Sequence, residues 1–126
     1  MEAAITVAAV VCIAICMSGD IAQDLKTGRT RWRTLRMTKA SAEECDAYTT
    51  PLVLELDGKE TLVLWGADRL TGHDPKDGSV LWTCAGFNPK MEKAWRVIAS
   101  PVAEGDVALV PYARGAKVRA VRMGGS

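Results

Sequence analysis

The chain has one histidine, one asparagine and one phenylalanine in 126 residues. A single histidine leaves nothing from which to build a multi-histidine metal centre. A Ser-His-Asp triad would have to use His73, beside Asp74. Adjacent strand residues point to opposite faces, so these two are poorly placed to cooperate. Four cysteines, Cys12, Cys16, Cys45 and Cys84, are too few for a disulfide scaffold at this length. No two are adjacent and no pair has CxxC spacing, which excludes a zinc ribbon or a thioredoxin motif. They read as small buried hydrophobes. There is no phosphate-binding loop, no dinucleotide fingerprint and no nucleophile elbow. A net charge of +1 gives no case for nucleic acid, which calls for a clustered basic face. No catalytic and no metal-ligating residue is assigned.

What is present begins with an apolar stretch, Ala3 to Met17, broken only by Thr6. It is shorter than the ~20 residues a membrane helix needs. An export signal begins with positive charge, but only Glu2 precedes this stretch. Val7, Val10, Val11, Ile13 and Ile15 are β-branched and favour strands. Residues 1–17 are therefore read as an apolar strand region, with a signal or anchor segment as the alternative. At the other end, Arg114, Lys117, Arg119 and Arg122 lie in a stretch without acids. They read as charges protecting a strand edge, with a basic tip on an acidic ligand as the alternative.

Two segments then recur at an offset of 50 residues. Asp24-Leu25-Lys26-Thr27-Gly28-Arg29-Thr30-Arg31-Trp32 returns as Asp74-Pro75-Lys76-Asp77-Gly78-Ser79-Val80-Leu81-Trp82. Thr50-Pro51-Leu52-Val53 returns as Ser100-Pro101-Val102-Ala103. Periods of this size mark propellers, solenoids or arrays. Within the period, strands are expected at Ile21–Leu25, Thr30–Leu35, Leu52–Leu56, Thr61–Trp65, Leu70–His73 and Val80–Cys84. A third, partial unit is expected at Val97–Val102, Val107–Pro111 and Lys117–Arg122. Asp57-Gly58 is a strong hairpin signal. About four short strands per period, with glycine turns and little helical periodicity, indicate an all-β fold of two to three four-stranded blades in an incomplete ring.

The nine-residue motif reads as a hairpin. Asp24 and Asp74 accept backbone N–H groups to open the turn, and Gly28 and Gly78 close it with positive φ. Trp32 and Trp82 follow at a distance that lets an indole bury beside the turn of a neighbouring blade. These six residues are assigned as a structural motif. Trp65 and Trp95 lie outside it and read as core, with lining of a central pocket as the alternative. Glu43, Glu44 and Asp46 read as a solvated loop.

Both copies of the motif resemble the pyrroloquinoline-quinone (PQQ) repeat, roughly Ala-Leu-Asp-x-x-Thr-Gly-x-x-x-Trp. Val118 to Arg122 resembles the start of a third. The resemblance implies a PQQ-like β-propeller, with repeats over 18–126: copies near 18–67 and 68–117, and a partial third to 126. It also implies a periplasmic or extracellular location. Quinoprotein dehydrogenases of this family hold PQQ with a vicinal disulfide, a stacking Trp and a calcium ligated by Glu, Asn and Asp. Here there is no Cys-Cys pair, and the lone asparagine is Asn88. Other members share the fold alone and act as binding or assembly scaffolds, one of them the lipoprotein that helps assemble outer-membrane β-barrels. The expectation is a non-catalytic repeat module with no cofactor, binding a protein or ligand. The alternative is part of a PQQ-dependent alcohol or sugar dehydrogenase. A blade takes ~40–50 residues, so the chain is too short to close a ring. It is expected to be a piece of a larger exported protein, or to meet further blades in cis or on another chain. An envelope protein is the expected partner.

Overall fold

The structure, a computed structural model, describes residues 20–24, 26–35, 47–94, 96–112 and 117–124. The apolar N-terminal region, the acidic loop at 43–46, Trp95 and three of the four cysteines lie outside the described residues. The described strands are β1 (Asp20–Gln23), β2 (Thr30–Thr34), β3 (Leu52–Leu56), β4 (Lys59–Gly66), β5 (Arg69–His73), β6 (Val80–Cys84), β7 (Val102–Glu104), β8 (Val107–Tyr112) and β9 (Lys117–Arg122). No helix occurs among the described residues.

The strands form three antiparallel sheets in sequence order: β1-β2, β3-β4-β5-β6 and β7-β8-β9. The middle sheet is a complete four-stranded meander, as a propeller blade requires. Its first hairpin turns at Asp57-Gly58, and both residues have positive φ, 50° and 73°. Such a turn matches the right-handed twist of the flanking strands. The sheets are out of phase with the 50-residue period. A copy counted from residue 18 takes in β1 and β2, then the first two strands of the next sheet.

Side-chain alternation in β4 shows how the sheets stack. Leu62 and Leu64 pack with Ala22 and Trp32 of the first sheet. Val63 and Trp65 point the other way, into a larger core with Ala108, Val110 and Val121 of the third sheet and Met123 just after it. Thus β4 is buried on both faces, and its run Thr61 to Gly66 is covered throughout. A period-two strand with both faces apolar is what a central layer demands.

One expected strand is corrected. Val97–Val102 was expected as a single strand, but β7 begins only at Val102. Val97 instead forms an isolated parallel bridge to Ala47. Pro101 has no N–H to offer a ladder, which favours ending the extended pairing there. Elsewhere strand limits shift by a residue or two; β1 ends at Gln23 rather than Leu25.

Candidate functional site

The two turn copies share four hydrogen bonds, and Asp24 Oδ1 accepts two more, from Thr27 N–H and Thr27 Oγ1, both at 3.0 Å. Gly28 N–H donates to the Asp24 carbonyl at 2.7 Å, and Gly78 N–H to the Asp74 carbonyl at 2.8 Å. Asp24 N–H meets the Arg29 carbonyl, and Asp74 N–H the Ser79 carbonyl, both at 2.9 Å. The Asp24 carboxylate accepts from Lys26 N–H at 3.0 Å, and the Asp74 carboxylate from Lys76 N–H at 2.8 Å. The next polar position also does one job in both copies. Thr27 Oγ1 accepts from Arg29 N–H, and Asp77 Oδ1 from Ser79 N–H. Gly28 and Gly78 have φ of 69° and 76°.

Electrostatics follow from these bonds. Bonds from the Thr27 backbone N–H and hydroxyl hold the Asp24 carboxyl below its ordinary value of 3.8, with smaller help from Lys26 N–H and the Arg31 charge. The Ser79 backbone and hydroxyl lower Asp77 in the same way. Donors aimed at a carboxylate favour its charged form.

The copies differ in what covers them. Trp32 lies over the Asp74–Gly78 turn of the next sheet, and its indole N–H donates to the Pro75 carbonyl at 2.9 Å. A Cβ at Gly78 would overlap the Trp32 ring and the Thr34 hydroxyl. The Gly78 carbonyl accepts from Thr34 Oγ1 at 2.7 Å and lies 3.0 Å from His73 Nδ1. His73 is fully buried, with Nε2 2.9 Å from Thr71 Oγ1. It therefore braces the turn that receives Trp32. Asp74 is only half buried. Trp82 sits differently. It packs across its own sheet on Gly72, where a Cβ would collide with the indole, and it stays half-buried.

A second indole junction lies outside the motif. Trp65 is 1% exposed, and its N–H donates to the Pro111 carbonyl of the third sheet at 3.1 Å. Its ring leans on Phe87, with centroids 4.6 Å apart, and Phe87 meets the edge of Tyr112 at 5.4 Å. The Arg119 guanidinium lies 4.4 Å from the Phe87 centroid and 5.3 Å from that of Tyr112. It donates to the Gly86 carbonyl at 3.0 Å. Phe87, Tyr112 and Arg119 border a cleft of about 150 Å³ with Lys90, Glu92 and Lys117. No sequence motif marks this cluster.

The third sheet has one covered face and one bare face. Ala108, Val110 and Val121 are buried against the middle sheet. Val102, Leu109 and Val118 are 63%, 46% and 61% exposed. Val102, Ala103, Glu104, Val107 and Leu109 line a depression of about 550 Å³ on this sheet.

The residues present do not fit a PQQ–calcium centre of the dehydrogenase kind. No adjacent cysteines exist to form the vicinal disulfide. Asn88, the one asparagine, is engaged at both ends of its amide: Nδ2 donates to the Glu92 carbonyl at 3.0 Å, and Oδ1 accepts from Glu92 N–H at 3.0 Å. Among the described residues, no three His, Cys, Asp or Glu side chains are placed to hold a metal ion.

No family model matches the sequence, and no curated protein matches it. Among solved structures the chain is similar to BamB from Moraxella catarrhalis, with a TM-score of 0.60 and 20% identity. The match covers 85% of this chain and 29% of that one. The chain thus spans less than a third of the length of that structure. Taken with three stacked antiparallel sheets, the likeness shows the fold to be part of a PQQ-like β-propeller.

Proposed function

We propose that this chain is a non-catalytic propeller module whose work is to present a rigid surface to another protein in the cell envelope. The observation that carries this reading is the bare face of the third sheet. In the middle sheet the corresponding face, Val63 and Trp65, is covered by β8 and β9. In the third sheet, Leu109 is 46% exposed, and no other sheet of the described residues packs upon it. Contiguous exposed apolar surface marks an interaction site. The occupant that fits is a further β-sheet with small and β-branched residues on its face, as Ala108, Val110 and Val121 present to the middle sheet. That sheet comes from a partner chain. Likeness to BamB supports a module of this architecture. The periplasmic setting and the role as one part of a larger exported protein belong to the same proposal.

Photo-crosslinking tests it. A photoreactive residue at Leu109 should give a discrete adduct in envelope preparations, while one at Lys59, exposed on the middle sheet, should not. Equal labelling from both positions, or none from Leu109, would overturn the reading.

A further inference from the structure

The ends of the sheets are not alike. The turns at 57–58, 74–78 and 105–106 gather at one end; the turn at 67–68, residues 85–92 after β6 and the first residue of β9 lie at the other. The cleft beside Phe87 opens at this second end, between the Asn88–Glu92 loop and the base of β9.

Its chemistry is one-sided. Three cationic side chains, Lys90, Lys117 and Arg119, line it with a single carboxylate, Glu92. Among the described residues, neither lysine forms an ion pair. Arg119 is already fixed in place. Two aromatic rings support its guanidinium, and the carbonyls of Ala85 and Gly86 accept from it at 3.4 and 3.0 Å. A guanidinium has five N–H groups, so about three remain for a ligand. A fork held this way loses little freedom on binding. The loop opposite is held too, because the Asn88 amide clamps the backbone of Glu92. The floor, Phe87, is fully buried. A volume of about 150 Å³ corresponds to about five waters at ~30 Å³ each. That is smaller than the ~300–1,000 Å³ of a drug-sized pocket and takes one tetrahedral oxyanion together with water.

We infer that this cleft is a binding site for a compact oxyanion of the phosphate type, held by Arg119 with Lys90 and Lys117 at its mouth. Charge-assisted bonds from a fixed fork and two ammonium groups suit a phosphate. The ion could be free or carried on a small molecule.

The test is a two-dimensional amide NMR titration of the whole chain with inorganic phosphate, at ionic strength held constant with sodium chloride. Saturable shifts are expected at Asn88, Lys90, Lys117 and Arg119, with the exposed lysines Lys26, Lys59 and Lys76 unmoved. The double variant Lys90→Gln/Lys117→Gln should bind at least ten-fold more weakly while melting at the same temperature. Arg119→Gln should abolish binding, but it also removes a brace of the loop, so the lysine variant is decisive. A parallel titration with glycerol phosphate separates the sources: equal affinity means a carried phosphate enters, and no binding means the site takes the free ion. Shifts scattered over all lysines, no saturation, or unchanged binding by the double variant would overturn the assignment.

Discussion

The indole N–H of Trp32 donates to the carbonyl of Pro75, 43 residues later in the chain, at 2.9 Å. It ties the end of one sheet to the turn of the next. One sheet further on, the Trp65 indole N–H donates to the carbonyl of Pro111, within β8 of the next sheet. Two indoles therefore reach forward to two proline carbonyls, although only Trp32 belongs to the repeated motif.

Trp32→Ala should destabilise the chain by roughly 3–5 kcal/mol, as large aromatic truncations in cores do. Trp32→Phe keeps most of the buried area but leaves the Pro75 carbonyl unpaired, and should cost about 1–3 kcal/mol. Urea melts of the three proteins would rank them. Equal stability of the phenylalanine variant and the parent would mean that the N–H contributes nothing at this junction.

The two turn glycines should respond unequally to the same change. At Gly28 a methyl meets nothing within 4 Å, so alanine there suffers only the strain of positive φ, about 1–2 kcal/mol. At Gly78 the same strain is joined by overlap with the Trp32 ring and the Thr34 hydroxyl, adding about 1–3 kcal/mol. Denaturant midpoints of Gly28→Ala and Gly78→Ala measure the gap. Matching midpoints would show that Trp32 does not press on this turn.

Acid should loosen the first turn. The Asp24 carboxyl is held below its ordinary 3.8 by the Thr27 N–H and hydroxyl. A carboxylate with a lowered folded pKa stabilises the fold in full above the unfolded value, and that contribution is lost as pH falls through the folded value. Asp24→Asn should therefore flatten the stability profile below pH 3.8 and leave its shape at neutral pH unchanged. The carboxyl ¹³C shift of Asp24, followed by NMR, should titrate below 3.8; a midpoint at or above it would contradict the turn's bonding.

Much of this architecture could be read from residues alone, because its cues are local. Asp24 through Trp32 and Asp74 through Trp82 carry their turn chemistry within nine positions, and Asp57-Gly58 announces its own hairpin. Val97 and Ile98 misled for the opposite reason. They have strand-like side chains, but the Val97 backbone meets distant partners, Ala47 and Tyr48, which no local pattern reveals. The cleft was hidden in the same way. Arg119 reaches Gly86 across 33 residues, and Phe87, Tyr112 and Lys117 lie outside the nine-residue motif. Trp82 is a subtler case. It shares its motif position with Trp32, yet among the described residues it meets Gly72 of its own sheet where Trp32 meets a turn of the next. Motif position gives each indole its direction; the neighbouring sheet gives it a seat.

The parallel touch between Ala47 and Val97 reaches further than its single bridge suggests. Thr50 N–H also donates to Ser100 Oγ at 2.8 Å, again linking counterparts 50 positions apart. Each lead-in thus grips its own successor, a self-complementary handshake that any additional copy could extend. Head-to-tail contacts of that kind go on without limit unless rotation brings the last back to the first. The angle between neighbouring sheets, rather than any side chain, then decides between a closed wheel and an endless ribbon.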